Sequence, residues 1–208
     1  MAANSGSEET ALAGSAPSPS WIAFLSGGSG IFLSFLWGFA EGTFFFVVPD
    51  AFLSLVAIVA PRRVWRHILA AVFGAVCAGA LMYAWAARNP AQAHEVVSRV
   101  PFIPQRMFDG VRSAYERRGM TALFLGPLSG IPYKIYAIEA PPHFGLVRFA
   151  FATAPARAWR FILVCLFAGS AASLLRQKWK KTPKQLATIH SVVWILFYAL
   201  YWARIALP

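Results

Sequence analysis

The residues best suited to chemistry are charged side chains inside two apolar stretches that proline interrupts. Glu41 and Asp50 lie in the first stretch, residues 39–60, on either side of three Phe and two Val. Lys134 lies in the second stretch, residues 120–140. An ionisable side chain in hydrocarbon costs from about 2.5 to well over 10 kcal/mol, so its presence usually indicates a transport pathway or a binding site.

The two carboxylates have the chemistry of proton carriers. Removal from water disfavours the charged form of a carboxylate, so the group can bind and release a proton near neutral pH. Glu41 and Asp50 are therefore predicted to gate transport or to couple it to protons. For Asp50 the alternative role is structural, because a carboxylate that follows Pro49 can cap the helix that begins there.

The cations have the chemistry of phosphate ligands. The ammonium group of Lys134 can hold a phosphate as a point charge, and a guanidinium can hold one through two parallel hydrogen bonds. Arg157 and Arg160 lie at the mouth of a later apolar span, and we predict that they bind substrate together with Lys134. The structural alternatives are a lysine that extends to the surface and arginines that anchor the chain at the lipid interface.

Four further residues are predicted to break the helices. They are Pro49 in the first stretch and Pro127, Gly130 and Pro132 in the second. Non-helical backbone at membrane depth is tolerated only where it is buried in protein or lines a wet cavity. Each stretch is therefore predicted to be a re-entrant segment, and two such segments in corresponding halves are typical of inverted-repeat transporters.

The composition is that of a membrane protein. Of the 208 residues, 58% are hydrophobic and only 13% are charged, against about 25% charged in a soluble domain. We predict an all-α, polytopic membrane protein with a disordered tail at residues 1–20 and one transmembrane domain at residues 21–208. The expected spans are residues 67–87, 158–175 and 186–207. Whether Trp21–Gly38 spans the membrane or lies in its interface is open.

The net charge of +11 is explained by the membrane. Three Arg lie in the turn at residues 61–66, and five Lys or Arg lie at residues 176–184, with no acid in either segment. The positive-inside rule places both turns in the cytoplasm. Residues 88–119 carry six Arg and three acids, and prolines divide them into two amphipathic helices predicted to lie on the other membrane surface. Nucleic acid is not an expected partner.

The sequence shows no pattern of an enzyme or a metal centre. Ser129 does not lie in a GxSxG turn, and the four His form neither an HExxH motif nor a cluster with Cys. We expect no enzymatic activity, no metal and no cofactor. The one cofactor alternative is a b-type haem held by His67 and His190, which would give the purified protein a Soret band.

Four pieces of the chain resemble a known family. They are Glu41 with Pro49-Asp50 and Pro61-Arg62-Arg63-Val64-Trp65-Arg66; Gly74, Gly79 and Tyr83; Tyr115-Glu116-Arg117-Arg118-Gly119; and Ile131-Pro132-Tyr133-Lys134. Over residues 35–175 the chain resembles the DedA family, also described as VTT-domain or SNARE-associated Golgi proteins, and especially its YqaA-like bacterial branch. The resemblance implies two opposed re-entrant loops in a helical bundle of the bacterial inner membrane. Members of that family are associated with moving phospholipids or polyprenyl phosphates, some of them depending on the proton gradient.

The resemblance also carries over individual residues. Glu41 and Asp50 match the acidic positions of the first loop, and Pro132 matches the proline of the second. The family has an arginine three residues before and three after that proline, where this chain has Ser129 and Ile135. Lys134 is the nearby cation in this sequence.

These observations predict a lipid transporter of the flippase or scramblase type, with anionic lipid headgroups as partners. The alternative is a scaffold that does not transport and that uses the small residues of the 67–87 span to hold other membrane proteins. The sequence leaves open which lipid is moved, in which direction, by what energy source, and whether the chain forms a homo-oligomer.

Overall fold

The computed structural model describes residues 19–45, 47–101, 103–126 and 129–206. Within these residues the chain is 82% helix and contains no strand, which confirms the predicted all-α class. The helices are α1 Ser20–Ser26, α2 Gly28–Thr43, α3 Asp50–Val59, α4 Val64–Arg88, α5 Pro90–Ser98, α6 Gln105–Arg118, α7 Thr121–Leu125, α8 Tyr133–Ile138, α9 Leu146–Trp179 and α10 Pro183–Ala206. Most of the predicted tail, and Pro127, lie outside the described residues.

Three helices are long and apolar enough to cross a membrane, namely α4, α9 and the Pro183–Arg204 part of α10. Each exceeds the roughly 20 residues that a bilayer core requires. Helices α1 and α2 pass the same test only as a pair, and they are bent by 54° at their junction. By length and composition the chain is therefore a membrane protein with three such helices, or four if the bent pair is one span.

Helix α9 is longer than the span expected at residues 158–175. It begins at Leu146 and continues through Pro155 for 34 residues. A proline inside a helix removes one backbone hydrogen bond, which membrane helices tolerate when neighbouring groups satisfy the freed carbonyl. Arg157 and Arg160 consequently lie within a continuous helix and not at the mouth of a span.

The first broken stretch differs in extent from the expected residues 39–60. The helix that precedes the break begins at Gly28, so residues 39–43 form the last turns of α2. The described non-helical backbone is that of residues 44, 45 and 47–49, and we call residues 44–49 the first break. Pro49 precedes α3, and its carbonyl accepts hydrogen bonds from the backbone of the first turn of that helix.

The second broken stretch contains two short helices, α7 and α8. Between them Gly130 has a φ of +72°, a conformation that a residue with a side chain rarely adopts. Pro132 has φ −59° and ψ 139°, an extended conformation, and α8 begins directly after it. The hydroxyl of Ser129 donates to the carbonyl of Gly126 and accepts the N–H of Ile131. We call residues 126–132 the second break.

Glycine allows α2 and α4 to pack with their backbones in contact. A Cβ atom on Gly74 of α4 would lie 2.1 Å from the carbonyl oxygen of Phe35, and one on Gly38 of α2 would lie 2.2 Å from that of Ala71. No side chain can occupy such a position unless a backbone moves. The small-residue face of α4, which a scaffold would offer to a partner protein, is thus covered by α2 in this chain.

The amphipathic helices α5 and α6 pack against α4 and α8. Phe108, Val111 and Tyr115 of α6 are buried, and the Tyr115 hydroxyl donates to the Tyr136 carbonyl of α8 at 2.8 Å. Arg112, on the same helix, pairs with Glu139 at 3.3 Å. These contacts fix the position of α8, which carries Lys134.

Candidate functional site

A buried ion pair joins α2 to α9. The guanidinium of Arg157 donates to Oε2 of Glu41 at 2.6 Å, and the two side chains are only 3% and 4% exposed. The cation also lies between the rings of Tyr133 and Phe161, 5.0 Å from each centroid. Aromatic faces attract a cation most strongly where water is excluded. The Arg157 side chain is therefore enclosed by Glu41 and two aromatic rings, which indicates a structural role.

A second ion pair joins α3 to α9 one helical turn away. Arg160 donates to Oδ2 of Asp50, again at 2.6 Å. The Asp50 side chain is 1% exposed, whereas that of Arg160 is 22% exposed. No side-chain hydrogen bond caps this end of α3. Asp50 also lies in the first turn of α3, where a carboxylate stabilises the helix, so this structural role coexists with the pairing to Arg160.

One oxygen of this second pair has no partner. Oδ1 of Asp50 is buried and forms no hydrogen bond within the part of the chain that the structure describes. A buried carboxylate oxygen without a donor is costly when the group is ionised. It is also the place where a proton could be held without displacing an existing contact.

Lys134 connects α8, the helix that follows the second break, to the first break. Its ammonium group donates to the backbone carbonyl of Phe45 at 2.7 Å, and the residue is 1% exposed. It therefore does not extend to the surface, nor does it line the polar cavity described below. Glu41 is close enough to interact with it electrostatically. Lys134 thus holds α8, which follows the second break, against the first break.

Loss of this link is expected to loosen the first break. Lys134→Met keeps the length of the side chain and removes its donor. A hydrogen bond to a charged group contributes roughly 1.5–3 kcal/mol, so amide exchange at residues 44–49 should accelerate about tenfold or more. Hydrogen–deuterium exchange by mass spectrometry measures this. The exposed Lys178→Met is the control, and equal exchange in both variants would contradict the role of Lys134.

We call Glu41, Asp50, Lys134, Arg157 and Arg160 the charged cluster. All five were predicted from the sequence as functional residues, and the structure brings them together through α2, α3, α8 and α9. The cluster holds three cations and two carboxylates, which gives a net charge of +1 when every group is ionised. Arg160 is its most exposed member, so a ligand would meet this cation first.

A cavity of about 180 Å³ lies beside the charged cluster, and we call it the polar cavity. Glu41 and Arg160 provide its charged wall. The remaining lining residues come from both breaks and from α10: Phe45, Val48, Gly130, Ile131, Pro132, Trp194, Phe197, Tyr198 and Tyr201. Pro132 and Gly130, predicted only as helix breakers, thus also shape the cavity.

Helix α10 closes the polar cavity with two tyrosines. The hydroxyl of Tyr198 accepts the N–H of Val48 in the first break at 2.8 Å. The hydroxyl of Tyr201 donates to the carbonyl of Gly130 in the second break at 3.3 Å. The sequence predicted α10 only as a span. The feature that could have indicated its place at the cavity is the recurrence of Trp194, Tyr198 and Tyr201 at helical spacing.

The histidines take part in separate hydrogen bonds. Nδ1 of His67 lies 2.9 Å from the Ser34 hydroxyl, and Nε2 of His190 lies 2.8 Å from the Ser54 hydroxyl. Among the described residues there is no group of three or more His, Cys, Asp or Glu side chains that could hold a metal ion.

Comparison of the chain with protein-family models, with curated proteins and with solved structures finds no match. The function is therefore inferred from the geometry of the charged cluster and the polar cavity.

Proposed function

We propose that the protein moves an anionic lipid across the membrane, and that the headgroup phosphate binds in the polar cavity against Arg160. The observation that carries the proposal is the Arg160–Asp50 pair. It places a partly exposed guanidinium in the cavity wall and ties it to a carboxylate with one unpartnered oxygen. A guanidinium is the side chain best matched to phosphate geometry.

The charge of the cluster supports an anionic ligand. The net charge of the cluster is +1 with Asp50 ionised and +2 with Asp50 protonated, so in either state an anionic phosphate lowers the charge that the site must hold. A net charge buried at membrane depth is costly unless it is paired. A zwitterionic or neutral headgroup would leave the excess charge in place, so the cluster favours anionic lipids over others.

The pairing also supports coupling to protons. In the observed pair, Asp50 occupies the guanidinium that a phosphate would need. Protonation of Asp50 removes its charge and weakens its hold on Arg160, which then becomes available to the ligand. Departure of the proton restores the ion pair and expels the phosphate. Proton and anion would thus bind together and leave together, which is the behaviour of a symporter.

The proposed function includes an arrangement of the two breaks in the membrane. We propose that the first and second breaks are the tips of two re-entrant segments that meet from opposite sides of the bilayer, as in the DedA family that the sequence resembles. Lys134 joins α8, directly after the second break, to the first break, and Tyr198 and Tyr201 contact one break each. These contacts support a shared site between the breaks. The bacterial inner membrane is the proposed location.

A proteoliposome assay tests the function. Vesicles of phosphatidylcholine would contain traces of fluorescent phosphatidylglycerol or fluorescent phosphatidylcholine, and a membrane-impermeant quencher would report movement between leaflets. The parent protein is expected to move phosphatidylglycerol faster. Arg160→Gln should slow it by about tenfold or more, since a hydrogen bond to a charged group contributes roughly 1.5–3 kcal/mol. The control is Arg148→Gln, an exposed position on the same helix.

Because Arg160→Gln leaves a buried carboxylate unpaired, the double variant Asp50→Asn/Arg160→Gln is the necessary companion. It removes both charges and should fold as the parent does, yet still move phosphatidylglycerol slowly. If either variant matched Arg148→Gln, Arg160 would not be the phosphate ligand. If the parent moved neither lipid but retained partner proteins during purification, the scaffold alternative would be favoured.

A further inference from the structure

Helices α9 and α10 leave a long apolar groove between them. It has a volume of about 270 Å³ and is lined on α9 by Ala168, Ala171 and Leu175 and on α10 by Ile189, Val193 and Phe197. These positions recur at intervals of three or four residues, so they form one face of each helix. Helix α10 packs chiefly on α3, which forms the floor of the groove. We call this feature the apolar groove.

The apolar groove lies beside the polar cavity. Trp194 and Phe197 line both spaces, so a molecule that occupies both must pass these two side chains. The polar groups Ser54 and His190 at the groove hydrogen-bond to each other, and Nδ1 of His190 has no hydrogen-bond partner among the described residues. The other lining side chains are hydrophobic, so burial of a hydrocarbon chain against them is favourable.

The far end of the groove is strongly basic. Leu175 and Leu186 line that end. The last turn of α9, the connection and the first turn of α10 carry five basic residues and no acid: Arg176, Lys178, Lys180, Lys181 and Lys184. Arg176 also donates to the carbonyl of Ile58 at the end of α3. Anionic headgroups concentrate beside such a surface. The basic surface therefore enriches anionic lipids in the membrane around the groove, while the headgroup site itself is at Arg160.

We propose that the apolar groove is the subsite for the hydrocarbon chain of the lipid whose headgroup phosphate occupies the polar cavity. This inference rests on the proposed function and adds a chain-binding site to it. The lipid would lie along α10, with its phosphate at Arg160 and its chain passing Trp194 and Phe197 towards Ala171. Selectivity would then depend on the hydrocarbon chain as well as on the phosphate.

Alkyl phosphates separate the two subsites, because the chain length can be varied while the phosphate stays the same. The dissociation constants of ethyl, butyl and hexyl phosphate would be measured calorimetrically on the purified full-length protein at low pH, where protonation of Asp50 leaves Arg160 available. In the parent protein the affinity should rise by roughly fourfold for each added methylene, as expected when a methylene group leaves water. Ala171→Phe fills the groove, so it should bind ethyl phosphate like the parent and lose this dependence on chain length.

Two further variants complete the experiment. Ala168→Phe fills the groove at a neighbouring position and should also flatten the series, which guards against a misfolded Ala171→Phe. Ala199→Phe adds the same ring at an exposed position of α10 and should leave the series unchanged. If all variants bind ethyl phosphate and retain the parent's chain-length dependence, the groove is not the chain subsite and the phosphate site stands. If ethyl phosphate does not bind to the parent, the phosphate site is wrong and the groove proposal falls with it.

Discussion

Replacement of Glu41 by leucine is expected to lower the free energy of unfolding by about 3–5 kcal/mol, the usual effect of removing one partner from a buried ion pair. Arg157 would remain buried between two aromatic rings with its counter-charge gone. The guanidinium cannot escape the site by losing its proton. Reversible unfolding in mixed detergent micelles measures the change.

The double variant Glu41→Leu/Arg157→Met should recover most of the lost stability. A buried ion pair replaced by apolar side chains of similar size is often neutral or even stabilising, because two charges no longer need to be desolvated. Glu95→Leu is the comparison, since it breaks the exposed Arg99–Glu95 pair, for which about 0–1 kcal/mol is expected. A Glu41→Leu protein as stable as Glu95→Leu would contradict the buried pairing.

Replacement of Asp50 by asparagine is expected to uncouple lipid movement from protons. The amide resembles the protonated carboxyl group in shape and charge, so Arg160 would be permanently available to phosphate. Phosphatidylglycerol movement in proteoliposomes should then lose its dependence on pH, and a proton gradient should no longer bias its direction. Ethyl phosphate should bind to Asp50→Asn at pH 7.5 at least as tightly as to the parent at low pH.

Other titratable groups could produce a pH dependence, so controls are needed. The ionisable side chains close enough to interact electrostatically with Asp50 are Glu41, Arg157, Arg160, Cys165 and Tyr198. Cys165→Ala and Tyr198→Phe should keep the pH profile of the parent, and so should Asp109→Asn at an exposed position. A profile in Asp50→Asn that matched the parent would show that Asp50 is not the proton carrier.

The class of fold follows from composition because long apolar runs in a chain with few charges can be satisfied only as membrane helices. The extent of the first broken stretch did not follow in the same way. Gly28 and Gly30 lower the intrinsic helix propensity at the start of α2, and the sequence left open whether Trp21–Gly38 spans the membrane or lies in its interface. Backbone contact between α2 and α4 at Gly38 and Gly74 overrides that preference.

The members of the charged cluster were predictable because each is an ionisable residue in or beside an apolar segment. Their partners were not. Arg157 and Glu41 are 116 positions apart, and Arg160 and Asp50 are 110 apart, so no local pattern records the pairing. The acceptor of Lys134 is a backbone carbonyl, a group present at every position. The sequence therefore indicated phosphate ligands where the structure has two arginines engaged by carboxylates.

Helix α9 forms an ion pair with the chain on each side of the first break. Arg157 pairs with Glu41 near the end of α2, and Arg160 pairs with Asp50 at the start of α3. Because both arginines lie on one helix, their separation is fixed. Helix α9 therefore holds α2 and α3 together independently of the peptide chain between them, in addition to the stacking of Trp37 on Phe52. Loss of the Arg160–Asp50 pair would leave the Arg157–Glu41 pair in place, so one of the two ionic connections across the first break would remain.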